Sequence, residues 1–280
     1  PETEILYPDP GFPIYRSMIE FTGATPVPVP IREENGFAFS AAETLALITP
    51  RTRLLIVNSP ANPTGGVTPK AEIDALVKGL AEHPDVAVLS DEIYGSMTYD
   101  GESHHSLLKY EEIRDRLVYL DGDSKTYAMT GWRLGWSVWP KPLYDAARKL
   151  AVNAHSCVNA ATQWAGIAAL DGPQDCVAEM VAEFDRRRAI VVDGLNGLPD
   201  VSCIAPKGAF YAFPNISRTG WKAKALASTL LEEAGVAVIG GPDFGIHGEG
   251  YIRLSYANSA ENIRRALERM GTFLSERRPG

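Results

Sequence analysis

From the first residues to about residue 140, short apolar runs alternate with polar and helical stretches. Residues 5–7, 25–29, 53–57, 86–89, 117–120 and 134–138 are such runs, and their length suits buried strands. Ala71, Ile73, Leu76, Val77 and Leu80 fall at helical spacing between two of them. This alternation predicts an α/β unit, a mostly parallel mixed sheet sandwiched by helices. A longer helical pattern covers residues 173–195, with Val177, Met180, Val181, Phe184 and Ile190 on one side. After it, strand-like segments at 201–204, 210–213 and 251–255 interleave with helical ones at 221–233 and 260–275. The expectation is a large domain over residues 1–185 and a smaller α+β domain over residues 186–280.

Composition narrows the function classes. With 45% hydrophobic and 22% charged residues, the chain has the balance of a soluble globular protein with a substantial core. A formal charge of −8 argues against a nucleic-acid partner, which would call for a basic face. No apolar run nears the ~18 residues of a membrane span, and no basic-then-apolar signal opens the chain, so the expected compartment is the cytoplasm. Cys157, Cys176 and Cys203 form no C-x-x-C pattern and read as small buried hydrophobes rather than as a disulfide or metal set. The chain opens Pro1-Glu2-Thr3-Glu4 and runs straight into a strand-like segment, which suggests a true beginning further upstream.

Candidate chemistry gathers at the carboxyl ends of three strand-like runs, where open α/β sheets hold ligands. The run ending at Val57 is followed by Asn58-Ser59-Pro60-Ala61-Asn62-Pro63-Thr64-Gly65. The run ending at Leu89 leads into Ser90-Asp91-Glu92-Ile93-Tyr94, and the one ending at Leu120 into Asp121-Gly122-Asp123-Ser124-Lys125. An amide, a carboxylate and an amine are thus sent to one edge. By position alone Lys125 reads as a solvated surface charge. Its small and apolar neighbours, with Arg133 eight residues on, favour another reading. Burial depresses a lysine's pKa and frees a nucleophilic amine, and an arginine fork suits phosphate oxygens.

These motifs, with Arg253 in Tyr251-Ile252-Arg253-Leu254-Ser255-Tyr256 and the opening Pro8-Asp9-Pro10-Gly11-Phe12-Pro13-Ile14-Tyr15, stand in the order and spacing of one family. The chain resembles the class I/II aminotransferases, fold-type-I enzymes dependent on pyridoxal 5′-phosphate, over essentially its whole length. The resemblance implies that Lys125 carries the cofactor as a Schiff base and shuttles a proton between substrate Cα and cofactor C4′. It implies Asp91 beside the pyridine nitrogen, Tyr94 and Asn62 on the phenolic oxygen, Phe12 stacked on the ring, and Arg133 with Ser124 on the phosphate. Arg253, with Asn62, would take the substrate carboxylate. The implied reaction moves an amino group from an L-amino acid to a 2-oxo acid, 2-oxoglutarate foremost, by a ping-pong mechanism in a homodimer. A lyase or synthase on the same scaffold, or a non-catalytic regulatory domain, are the alternative readings.

Three departures from the family pattern stand out. Asp123 occupies a place that is normally apolar or small, and either perturbs the lysine or faces away. Gly122 replaces a Ser or Thr that touches phosphate. The N-terminal arm, substrate loop and helix-start phosphate cradle of relatives precede the point where this sequence begins. Other polar clusters read as bland. His104-His105 lacks partners at metal-ligand spacing and is expected in a surface loop, and Arg186-Arg187-Arg188 is expected on a solvated helix face. Gly240-Gly241-Pro242-Asp243-Phe244-Gly245 and Lys207-Gly208-Ala209-Phe210-Tyr211 lie near the substrate in the resembling family.

Overall fold

Strands rich in Leu, Ile and Val, side chains that must be covered on both sides, form the centre of the main sheet. In the computed structural model, which describes residues 2–277, the chain begins with β1 (Glu4–Asp9), α1 (Ile14–Phe21), β2 (Thr25–Pro30), α2 (Ala41–Ala46) and β3 (Thr52–Asn58). It continues through α3 (Lys70–Leu80), β4 (Ala87–Asp91), β5 (Leu117–Gly122), the one-turn α4 (Asp123–Thr126) and β6 (Gly135–Val138). The strand order is β2-β1-β3-β4-β5-β6. Every pairing is parallel except β5 with β6. The expected mostly parallel mixed sheet is therefore present, and Leu6, Leu55, Val57, Val88, Ile73 and Leu76 share its core. Each such side chain contributes roughly 1.5–3 kcal/mol on burial.

Three long helices follow: α5 (Lys141–His155), α6 (Ala160–Asp171) and α7 (Asp175–Asn196). The last part of the fold is β7 (Tyr211–Ala212), α8 (Ala223–Ala234), β8 (Ile239–Gly240), β9 (Ile252–Ser255) and α9 (Ala260–Glu276). Its three strands form an antiparallel sheet in the order β7-β9-β8. Leu226, Leu230, Ile252, Leu267 and Met270 lie in a second core cluster with Phe184, Val191 and Leu195 of α7. Tyr94, Met97 and Tyr99 reach into this cluster from the first half of the chain. We propose residue 185, inside α7, as the dividing point, with Val191 and Leu195 beyond it in the second core and Phe184 at the boundary.

Several expectations are corrected. Residues 135–138 do form a strand, but β6, at the edge of the sheet, is exposed at all four of its positions rather than buried. Residues 201–204 form no strand, and Ser202 makes only an isolated bridge to Asn215. The two helices α5 and α6 lie where no element was expected: α5 buries none of its residues, and Leu150, Trp164 and Leu170 are exposed. Cys157 and Cys176 are exposed, and only Cys203 is buried. Arg188 is buried rather than solvated, because it pairs with Asp100 and Asp185 and packs over the Tyr99 ring. His104 is half-buried against the buried Glu92, 2.5 Å away. Among the described residues no helix is long and apolar enough to cross a membrane.

Candidate active site

The turn after β3 is held in shape by its own polar groups. Asn58 donates through Nδ2 to the Asp91 carbonyl at 3.0 Å and accepts from the Asn62 amide at 3.0 Å. The turn thus ties β3 to β4 and fixes where Asn62 stands. Gly65 closes it with φ +70, and its carbonyl accepts from Lys207 and Gly208, both at 2.9 Å. A side chain there would meet Pro206 and the Tyr211 carbonyl, so only glycine lets the two segments touch. The result is a direct link between the β3 turn and the stretch leading into β7.

Asp91 ends β4. Its Oδ2 accepts from the Tyr15 hydroxyl at 2.6 Å and its Oδ1 from the Ile93 amide at 3.3 Å. Burial raises its pKa above the ordinary carboxylate range, the bonds from Tyr15 and Ile93 oppose this, and Asp121 and Glu92 add to the rise. Lys125 sits on α4 immediately after β5. Burial lowers its pKa first, the guanidinium groups of Arg133 and Arg253 lower it further, and Asp91 opposes them. Its Nζ lies 5.8 Å from the Tyr94 ring centre and 5.5 Å from that of Phe210. Among the described residues no acid pairs with it directly. Desolvation and like charge together favour the free amine.

Arg253 comes from β9, sandwiched between Tyr211 and Phe244 at 4.6 and 4.8 Å from its guanidinium carbon. Its Nη1 donates to Asn62 Oδ1 at 3.1 Å, while its buried Nε has no hydrogen-bond partner among the described residues. Phe244 is placed from the large sheet: the fully buried Asp9 at the end of β1 accepts from the Ile246 and His247 amides at 3.1 and 2.9 Å. Tyr94, 3% exposed, has its hydroxyl 2.8 Å from that of Tyr211. Arg133, in the left-handed region with φ +56, is anchored by Nη1 on the Thr130 carbonyl at 2.8 Å.

Phe12, Asn62, Asp91, Tyr94, Ser124, Lys125, Arg133 and Arg253 all line one open cavity of about 440 Å³. Every site residue expected from the sequence is thus brought to one place. Tyr15, Asn58 and Asp121 line it too and were missed, while Tyr211 belongs to the 207–211 segment expected near the substrate. Tyr15 had a signal, since it stands three residues after Phe12 in a helix start, and the two rings meet edge-on at 5.8 Å. Asn58 is the last residue of β3, the kind of strand end where ligand-facing groups collect.

The departures also resolve. A Cβ on Gly122 would come within 2.7 Å of the Gly135 backbone, so the β5–β6 pairing leaves no room for Ser or Thr. Asp123 does not line the cavity. It is wholly buried with neither carboxylate oxygen paired among the described residues, its pKa pushed up by burial and by Asp121. It lies against Gly166 of α6, where an added methyl would stand 3.3 Å from Oδ2.

Two acids, three basic groups and an unpaired guanidinium nitrogen around an open cavity are the equipment for a flat, partly anionic ligand with a basic ring. The chain matches the family of aminotransferases class I and II over residues 1–270. The chain belongs to this family. It is 40% identical to an aspartate aminotransferase of Pyrococcus abyssi and 39% identical to the aromatic-amino-acid aminotransferase 2 of Thermococcus litoralis, each time over 98% of the chain and 71% of the relative. The solved aromatic aminotransferase from Pyrococcus horikoshii superposes with a TM-score of 0.94 at 39% identity, over 98% of this chain and 74% of that one. Aminotransferases of this family use pyridoxal 5′-phosphate, and the donor set fits it: a carboxylate for a ring nitrogen, an amine for an aldehyde, and guanidinium groups for phosphate and carboxylate.

Proposed function

We propose that this aminotransferase transfers the amino group of an L-amino acid to 2-oxoglutarate by a ping-pong mechanism, with Lys125 as the amine that holds the cofactor. The observation that carries this reading is Lys125 itself: an amine driven toward its neutral form, in a cavity with Asp91 and with Arg133 and Arg253 near enough to depress it. When bound, pyridoxal phosphate supplies an electron sink for the negative charge left at substrate Cα.

The remaining work belongs to the chain. Asp91 would hold a negative charge for the ring nitrogen and favour its protonated form. Tyr94 and Asn62 would donate to the phenolic oxygen, Phe12 would cover the ring face, and Arg133 and Ser124 would hold the phosphate. Arg253 binds the substrate carboxylate with Asn62 bracing its fork. Lys125 would serve as the base that takes the proton from substrate Cα and gives it back on the cofactor side. Aspartate-, alanine- and aromatic-type donors fit this arrangement, and the relatives named for aspartate and aromatic amino acids support the first and third.

The test is a panel of aspartate, alanine and phenylalanine with 2-oxoglutarate, following glutamate and the product oxo acid. Glutamate formation with parallel double-reciprocal lines is the expected result. Ammonia and pyruvate released without any acceptor would replace the transaminase by a lyase. Arg253→Lys keeps the charge but loses the fork, so the donor KM should rise roughly 10- to 100-fold with a smaller change in kcat. Comparable KM values in variant and parent would remove Arg253 from the substrate.

Tyr15→Phe is expected to weaken cofactor binding roughly tenfold, the usual scale of a hydrogen bond to a charged group. The Tyr15 bond lowers the Asp91 pKa, so its loss raises that pKa and moves the acid-side fall in cofactor affinity to higher pH. Fluorescence titrations across pH 5–8 read both effects, and unaltered binding throughout would show Tyr15 to be idle.

We also propose a cytoplasmic homodimer. The exposed thiols of Cys157 and Cys176 suit a reducing compartment, and the uncovered apolar residues of β6, α5 and α6 favour association. A monomeric mass by light scattering, with cofactor present, would reject the dimer.

A further inference from the structure

We infer that Tyr211 is a positioning residue that aims the Tyr94 hydroxyl into the cavity and seats the Arg253 guanidinium, a role that rests on the functions proposed above for Tyr94 and Arg253. Tyr211 and Tyr94 are 6% and 3% exposed, so the 2.8 Å contact between their hydroxyls lies out of bulk water. A phenol has one proton and two acceptor sites. For Tyr94 to donate into the cavity, its oxygen must take its contact with Tyr211 as an acceptor, and Tyr211 must donate. Arg253, whose guanidinium stands over the Tyr211 ring, has no acceptor to offer. The Tyr94 oxygen, 2.8 Å away, is the acceptor in reach of the Tyr211 proton.

The backbone explains why this residue can do both. Tyr211 pairs with Ser255 and Ala212 with Leu254 across β7 and β9, which sets the Tyr211 ring beside the strand that carries Arg253. The guanidinium carbon stands 4.6 Å from the ring centre, within cation–π range. Two faces of one side chain thus serve two sites, the hydroxyl acting on Tyr94 and the ring on Arg253. The Lys207 and Gly208 amides bonded to Gly65 tie the chain entering β7 to the turn that bears Asn62. The segment 207–211 therefore holds three polar groups of the cavity in register.

The hydroxyl and the ring are separable by substitution. In the protein loaded with pyridoxal phosphate, Tyr211→Phe should shift the pH midpoint of the lysine-bound cofactor's absorbance by about half a unit or more, in the same direction as Tyr94→Phe. The double variant should shift it no further than Tyr94→Phe alone. Binding of succinate, a non-reacting carboxylate probe, should stay within about twofold in Tyr211→Phe and weaken three- to tenfold in Tyr211→Leu. If Tyr94→Phe moves the midpoint while Tyr211→Phe does not, the inference falls and the reading of Tyr94 stands. Additive shifts in the double variant would mean that Tyr211 acts on its own and also overturn it. If neither single variant moves the midpoint, the proposed role of Tyr94 fails and that of Tyr211 with it. Arg253→Lys serves as the control for the ring: if it leaves succinate binding intact, the carboxylate does not sit on Arg253 at all.

Discussion

Lys125→Ala should lower kcat/KM for transamination by at least about four orders of magnitude, because it removes the covalent hold on the cofactor and the proton carrier together. The purified variant mixed with pyridoxal phosphate should also lack the absorbance of the lysine-bound cofactor. A second readout separates this role from a structural one. The folded-state pKa of Lys125 lies below its ordinary value, so the unfolded chain binds its proton more readily. Below the folded pKa both states are protonated and the charge costs the fold a constant amount. As pH rises from the folded pKa to the ordinary lysine value, that cost disappears. The cofactor-free Lys125→Met protein should therefore melt higher than the parent at neutral pH, with the advantage shrinking toward alkaline pH. A site residue kept for its chemistry predicts this exchange of stability for activity. A variant that transaminates at the parent's rate would end the reading, and a lower melting temperature would mean that Lys125 supports the fold instead.

What could be read in advance follows from which forces are local. The strands leading to Asn62, Asp91 and Lys125 announce themselves as short apolar runs ending in polar turns, and sheet order then fixes that their ends converge. Arg253 was legible only through its motif, since nothing in its own strand says that Asn62 lies 3.1 Å from its guanidinium. Tyr15 and Tyr211 are partners of partners: each matters through one hydroxyl contact across the fold, at 76 and 117 residues' separation. No local pattern encodes such distances. The helices α5 and α6 escaped for different reasons: α6 is apolar along most of its length and shows no one-sided stripe, whereas α5 sets Leu143, Ala147, Leu150 and Ala151 at a helical spacing that went unread and buries none of them. Arg188 misled for the opposite reason. A run of three arginines reads as solvated, yet its last member faces Asp100 and the Pro206 carbonyl across a loop that the sequence does not place.

Asp91→Asn is expected to cost roughly a thousandfold in kcat/KM, within the range for losing a group that governs charge in the reacting system. Asparagine fits the same space and can still meet the Tyr15 hydroxyl, which donates or accepts, so the fold should survive. What it cannot do is hold a negative charge beside a ring nitrogen. The pH dependence provides the sharper signature. Burial holds the Asp91 carboxyl above the usual range in the free protein, with Tyr15 and Ile93 pulling it down. Its charged form is therefore lost on acidification earlier than for an ordinary aspartate, and cofactor affinity should fall as pH drops through that raised value. In Asp91→Asn the affinity is weaker at neutral pH and this acid limb is flattened, because the titrating group is gone. Equilibrium dialysis from pH 5 to 8, set beside initial rates, separates the two effects. An acid limb that persists unchanged in the variant would assign the titration to another carboxyl, with Asp121, on the same cavity wall, the first to examine.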